Sequence, residues 1–146
     1  MVFSKTEGSR YKMKKVTVEV SYSGNNYSAH IPILSGCVTT GNSLYEIRKH
    51  IEEIVPFHVE GLREDNEEYP SVFDGDYEFI YKLSAEALIN EYSGVFTKAA
   101  LSKVTGINER QLWHYAAGVR NPRQVQRQRI VSGLHKLGKE LLSVDL

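Results

Sequence analysis

The sequence has few of the residues that support covalent cross-links or membrane insertion. Cys37 is its single cysteine, which excludes an intrachain disulfide and a cysteine-based zinc site. No apolar run approaches the roughly 20 residues of a membrane-spanning helix, and the first residues lack the apolar core of a signal peptide. Hydrophobic residues make up 41% and charged residues 25% of the chain, so we expect a folded, cytoplasmic protein.

Acidic residues are scarce in the last third of the chain. Residues 95–146 contain nine Lys and Arg against three Asp and Glu, a net charge of +6, whereas residues 1–94 contain nine against fifteen, a net charge of −6. The zero net charge of the whole chain therefore conceals two halves of opposite sign. A basic half suits a polyanion, and an acidic half either suits a basic partner or is a solvated surface.

The front half begins with a predicted hairpin. Residues 1–12 have no hydrophobic periodicity, so we expect a flexible tail, either native or an added extension. Apolar and polar residues then alternate over residues 15–22 and 27–33, which predicts two paired strands with Ile33 among the inward-facing residues. Pro32 cannot donate to a ladder, so the second strand is expected to lie at an edge or to end there.

A long helix is predicted after the hairpin. Residues 34–41 are a candidate third strand, and Ser43 and Glu46 then form a capping box in front of apolar residues at helical spacing. The helix either ends or kinks at Pro56, and the apolar residues beyond it favour a kinked continuation. The acidic residues 60–78 are predicted as a loop, followed by a strand over residues 77–83.

This order of elements carries a family resemblance. A tyrosine-bearing strand leads to a proline-to-Gly-Cys element and then to a T-x-G-x-S-x-x-E entry to the helix. The residues are Tyr27, Ala29, Pro32, Leu34, Gly36, Cys37, Thr39, Gly41, Ser43 and Glu46. They resemble the HicB antitoxin domain, although Ile33 stands where an acidic residue is common. The resemblance implies a partial RNase H-like domain over residues 13–83, without nuclease chemistry, that binds a HicA-type ribonuclease toxin.

Residues 96–122 read as two helices joined by a tight turn. Gly106 stands where a sharp turn can require positive φ. Asn108 is a natural N-cap for a second helix over residues 108–117, the recognition helix of a DNA-reading helix-turn-helix. Five apolar residues are expected to bury the two helices against each other: Leu101, Val104, Ile107, Leu112 and Tyr115.

This motif resembles the lambda-repressor/Cro-like class. It departs at Ala116, where many members are acidic, and at Trp113, which occupies a usually polar position facing the groove. The resemblance implies a DNA-binding domain over residues 84–146, through which a toxin–antitoxin pair represses its own operon. A homodimer is expected, and a tetramer is an alternative. The matching residues are Thr97, Leu101, Ser102, Gly106, Ile107, Asn108, Leu112, Gly118, Asn121 and Pro122.

Two further helices are predicted around the motif, over residues 84–92 and 123–142. In the second of these, leucine and isoleucine recur at steps of four and three. They form an apolar seam along the helix, which is either part of the core of this domain or a dimer face. Gly133 and Gly138 lie near this seam and permit the close approach of another helix. The seam residues are Ile130, Leu134, Leu137 and Leu141.

The candidate DNA-binding residues are a base-proximal group, Trp113, and a phosphate-positioning group. Arg110, Gln111 and His114 are the base-proximal candidates, because Arg suits guanine and Gln suits adenine in the major groove, while the alternative is contact with phosphate or solvent. Trp113 either packs or contacts a thymine methyl or the DNA backbone. The phosphate-positioning candidates, for which the alternative is a solvated basic face, are Thr97, Lys98, Arg120, Asn121, Arg123 and Arg127.

Evidence for catalysis is weak. The carboxylates of residues 60–78 are mostly in the predicted loop, so they cannot be fixed on one magnesium ion. The histidines have no ligand spacing, and Cys37 has no nucleophile motif. We therefore expect an α+β antitoxin and autorepressor that is not an enzyme and needs no metal or cofactor. The alternatives are a stand-alone regulator with a ligand-sensing front domain and, least favoured, a nuclease.

Overall fold

The computed structural model describes residues 12–146 and has the predicted α+β architecture, with the strands preceding most of the helices. The chain divides into two compact units between Lys82 and Leu83, one residue from the boundary expected from the sequence. Apart from Lys12, the expected N-terminal tail lies outside the described residues. Each unit is described separately below.

The first unit is built on a four-stranded sheet in the order β3-β2-β1-β4. β2 pairs antiparallel with β1 on one side and with β3 on the other, and the β1–β2 hairpin closes with Tyr22 opposite Tyr27. The strands are β1, Lys14–Tyr22; β2, Tyr27–His30; β3, Val38–Gly41; and β4, Tyr77–Leu83.

A single long helix, α1 (Leu44–Glu64), packs on the sheet at β2 and β3. Ser43 caps it by accepting the Glu46 N–H at 3.1 Å, while the Glu46 carboxylate reaches back to the Asn42 N–H at 2.7 Å. The capping box is therefore present, except that the Glu46 carboxylate accepts from the N–H of Asn42, the residue before the N-cap, and not from that of Ser43. The core residues are Val16, Val18, Val20, Tyr27, Ala29, Ile31, Leu34, Cys37, Leu44, Ile47, Ile51, Val55, Val59 and Phe73.

The second strand is shorter than predicted. β2 ends at His30, and the chain then turns: the Leu34 N–H donates to the Ile31 carbonyl at 3.0 Å. The inward placement of Ile33 was wrong, because this turn breaks the alternation and leaves Ile33 49% exposed. The expectation from Pro32, an edge position or a strand end, is confirmed by the strand end, while β2 itself lies between β3 and β1.

The helix continues through Pro56 to Glu64, which confirms the predicted continuation. The loop predicted over residues 60–78 was therefore wrong at its start. It was also wrong further along, where a 3-10 helix, Ser71–Asp74, precedes β4. Arg63 contacts Glu60 on the same helix at 2.6 Å and connects α1 to the 3-10 helix by contacting Asp74 at 3.4 Å. The sequence showed only polar composition here and not these contacts.

The second unit consists of helices around one core. The helices are α2, Ala85–Glu91; α3, Lys98–Thr105; α4, Glu109–Ala116; and α5, Gln124–Leu142. Their buried core residues are Ile89, Leu101, Ile107, Leu112, Tyr115 and Ile130. Among residues 12–146, no helix is both long enough and apolar enough to cross a membrane.

The seam of α5 has two parts. Ile130 is buried and Leu134 packs against the core, while Leu141 is 61% exposed. Gly133 lies so close to the backbone of α3 that an added Cβ would collide with the Val104 carbonyl oxygen, whereas an added Cβ at Gly138 would meet open space. The first part of the seam is therefore core, and the second part is exposed in the single chain.

Candidate nucleic-acid interface

The turn between α3 and α4 depends on a left-handed glycine and a buried hydroxyl. Gly106 has φ of 75°, and its N–H donates to the Ser102 carbonyl at 2.8 Å. The Thr105 hydroxyl donates to the Leu101 carbonyl at 2.7 Å and accepts the Ile107 N–H at 3.2 Å. Thr105 thus satisfies a buried backbone donor just where the chain leaves the helix.

Both helices of the motif begin with a side-chain cap. The Thr97 hydroxyl accepts the Ala100 N–H at 3.0 Å, and the Asn108 side chain accepts the Gln111 N–H at 2.9 Å. Each cap fixes the first helical turn and satisfies one of its free donors. The predicted N-cap role of Asn108 is therefore confirmed.

The C-terminal end of α4 is held by a second left-handed glycine and by α2. Gly118 has φ of 72°, and the Val119 N–H returns to the His114 carbonyl at 3.0 Å, as in a Schellman motif. The Asn90 side chain donates to the Ala116 carbonyl at 2.9 Å. Both ends of α4 are thus fixed, which orients its exposed face.

Two large side chains stand on the outer face of α4. Leu112 and Tyr115 are buried on the inner face, whereas Arg110 and Trp113 are exposed, Trp113 by 58%. Among the described residues, none forms a hydrogen bond or ion pair with the Arg110 guanidinium. The helix therefore presents a free cation and a large aromatic ring to solvent.

The other two base-proximal candidates flank this face. Gln111 and His114 are both half-buried. The Gln111 side-chain oxygen accepts a hydrogen bond of 3.4 Å from the Gln126 amide on α5. This bond is long, but it turns the Gln111 side chain towards α5.

Trp113 also joins the two helices of the motif. The Lys98 ammonium, at the start of α3, lies 4.4 Å from the centroid of the Trp113 ring. This distance is well within the range of a cation–π interaction. The indole is therefore outside the core, with one face covered by Lys98.

The remaining phosphate candidates follow α4 in the chain. Arg120 and Asn121 lie in the connection to α5, and Arg123 occupies the N-cap position of α5 without a capping hydrogen bond from its side chain. All three side chains are exposed, whereas Arg127, the last of these candidates, is half-buried on α5. The structure thus places a stretch of positive charge between the end of α4 and the start of α5.

The polar residues considered for catalysis in the first unit have structural contacts. The His50 and His58 rings hydrogen-bond to the carbonyls of Thr40 at 2.9 Å and Ser35 at 3.1 Å. Cys37 is buried, and this burial raises the pKa of its thiol. Among residues 12–146, no three His, Cys, Asp or Glu side chains are grouped so that they would hold a metal ion.

Comparison with known proteins gives one short similarity. Over 46 residues, the chain is 37% identical to an uncharacterized 14.9 kDa protein in the rep-hol intergenic region of Haemophilus phage HP1 (strain HP1c1). The alignment covers 32% of this chain and 35% of the phage protein, so the chain spans about a third of that relative. No family model and no solved structure matches.

Proposed function

We propose that the protein is a cytoplasmic antitoxin that also represses its own operon. In this proposal the second unit binds operator DNA, as a homodimer, and the first unit binds and neutralises a HicA-type ribonuclease toxin. The observation that supports it best is the outer face of α4, which carries the exposed Arg110 and is fixed at both ends by caps.

The chemistry of this face suits the major groove of DNA. The groove admits one α-helix, and an arginine there can bind guanine O6 and N7. His114 is a second base-proximal candidate, and Gln111 joins them once it releases Gln126. The polar and basic residues around the helix suit phosphate contacts, which position the protein without reading sequence. They are Thr97, Lys98, Arg120, Asn121 and Arg123.

The charge of the first unit supports a basic partner. Residues 12–82 contain twelve Asp and Glu against seven Lys and Arg. A ribonuclease must hold a polyanion and therefore needs a basic surface, which an acidic surface attracts and can cover. The resemblance of residues 14–83 to the HicB domain names the toxin class in this proposal.

Gel shifts with the full chain test the DNA-binding part. The promoter upstream of its own gene is expected to be bound at low ionic strength and released as salt rises. Arg120→Ala and Arg123→Ala are each expected to weaken binding to all sequences alike and to lower the log–log salt slope by about 1. Failure to bind this promoter, with or without the neighbouring gene product, would overturn the proposal.

A matched charge change controls for the loss of net charge. Lys139→Ala removes one positive charge about 24 Å along α5 from Arg123, at about 1.5 Å per residue. We expect this variant to keep the wild-type salt slope. An equal fall in all three variants would show that overall charge acts, and not the surface around α4.

Co-expression with the adjacent reading frame tests the toxin-binding part. We expect a small basic product that is toxic alone, co-purifies with this protein and loses its toxicity in the pair. Promoter binding without such a partner would instead favour a stand-alone regulator whose first unit senses a ligand.

A further inference from the structure

The centre of the outer face of α4 is occupied by few side chains. A helix turns by about 100° per residue, so Arg110 and Ala117 lie opposite the buried side of α4. Trp113 and His114 flank them on either side, and of these two only Trp113 is exposed. Ala117 offers only a methyl group. A base pair facing this helix therefore meets Arg110 and Trp113 first.

The other polar residues of α4 are less well placed. Gln111 lies about a quarter turn away and is directed to Gln126, and His114 is half-buried. Glu109 is exposed but stands at the rim of the outer face, in the first turn, where a carboxylate stabilises the helix N-terminus. Readout at the centre of the face thus falls to Arg110 and Trp113.

The chemistry of these two side chains selects two different bases. Arg110 is exposed, has no hydrogen-bond or ion-pair partner within residues 12–146, and suits the O6 and N7 acceptors of guanine. The Trp113 ring is apolar, and Lys98 covers one of its faces, which steadies the indole and leaves the other face and the ring edge. The thymine 5-methyl is the apolar group that base pairs present in the major groove.

The spacing of the two residues places these bases close together. Three residues of helix rise about 4.5 Å, and neighbouring base pairs are about 3.4 Å apart. Resting on the proposed DNA binding, we infer that Arg110 reads a guanine while Trp113 reads the 5-methyl group of a thymine within two base pairs of it. The protein is thereby specific for half-sites that contain this guanine and this thymine at the stated spacing.

The test begins with duplexes selected from a random-sequence library by the full chain. In the duplex bound most strongly, each thymine is replaced in turn by deoxyuridine, which removes only the 5-methyl group. We expect one position in each half-site to lose affinity about fourfold, the effect of burying one methyl group, and the other thymines to be neutral.

Variants connect this effect to the two side chains. With Trp113→Ala the sensitive thymine is expected to become neutral, and Trp113→Phe, which keeps an apolar ring, is expected to restore part of the sensitivity. Arg110→Ala is expected to reduce discrimination at the nearby guanine at least fivefold. Because both side chains are exposed, the folded chain tolerates these changes.

The outcomes separate the inference from the proposed function. A duplex that is bound with no sensitive thymine, or with the same sensitivity in Trp113→Ala, would overturn the inference and leave DNA binding intact. Enrichment of no duplex at low ionic strength would overturn both.

Discussion

Two residues in the second unit, Thr105 and Gly133, contribute to the packing of α3 through their contacts with nearby backbone atoms. Thr105 offers a hydroxyl to the Ile107 N–H as the chain leaves α3. Gly133 offers no side chain at all, which lets α5 approach the Val104 carbonyl. Thr105 therefore stabilises the turn from α3 to α4, and Gly133 permits the close packing of α3 and α5. Neither residue lies on the outer face of α4.

Replacing Thr105 by valine tests the buried hydroxyl. The shape is nearly kept, but the Ile107 N–H loses its acceptor inside the protein, so we expect a loss of about 1–3 kcal/mol in unfolding free energy. Urea denaturation measures it. Thr105→Ser retains the hydroxyl and should lose less than about 1 kcal/mol, the worth of one methyl group. Equal losses in the two variants would contradict this role.

Replacing glycines by alanine tests the close approach of α3 and α5. Gly133→Ala introduces a Cβ that meets the Val104 carbonyl, and we expect a cost of about 1–3 kcal/mol from overpacking. Gly138→Ala, in the same helix, meets open space and should stabilise by about 0.5–1 kcal/mol, because alanine favours helix. Thermal unfolding of both variants gives the comparison, and a stabilised Gly133→Ala would refute the contact.

At the scale of the element, α4 shows which hydrogen bonds can be predicted from the sequence and which cannot. Its N-cap Asn108 and the left-handed Gly106 before it were predicted, because each acts on residues no more than four positions away. The bond from Asn90 to the Ala116 carbonyl was not predicted, because its partners lie 26 residues apart and meet only in the fold. The link from Gln111 to Gln126 was missed for the same reason.

In the first unit as well, local features were predicted and contacts between residues distant in the chain were not. The helix cap at Ser43 and the alternation of β1 follow from local rules and were predicted correctly. The end of β2, with Ile33 turned outward, depends on a turn that hydrophobic alternation alone does not show. In the acidic segment, Arg63 of α1 contacts Asp74, eleven residues further along the chain. Composition could not indicate these contacts.

The N-cap of α4 allows stability to be separated from DNA binding. Asn108→Ala removes the acceptor for the Gln111 N–H, and we expect a loss of about 1 kcal/mol in unfolding free energy. Asn108→Asp keeps an acceptor and should keep stability, while its negative charge weakens attraction to DNA. Urea denaturation and gel shifts on both variants measure the two effects, and an unstable Asn108→Asp would contradict the capping role.

At the scale of the whole molecule, the two units differ in charge and each has its own buried core. The second core gathers around Leu112 and Ile130, and the first around β1 and α1. The net charge is negative before residue 95 and positive after it, because acidic residues are scarce in the second part. In the proposed function, one chain can therefore attract a basic protein and DNA through different regions.

The thiol of Cys37 should report on the first unit. The side chain is 3% exposed and burial raises its pKa, so at pH 8 little of it is thiolate and little is accessible. We expect a thiol-specific reagent to label the native chain at least tenfold more slowly than the urea-unfolded chain. With an aromatic disulfide as the reagent, the absorbance of the aromatic thiolate that it releases follows the reaction. Equal rates for the native and the unfolded chain would show that Cys37 is accessible in the folded protein.

The chain has one tryptophan, and it belongs to the other unit. Indole fluorescence therefore observes the helical half alone, and sulfhydryl chemistry observes the sheet half alone. Melting of the two halves can be monitored in the same protein without introducing a residue as a probe, and a stepwise or a simultaneous transition will tell whether they unfold together.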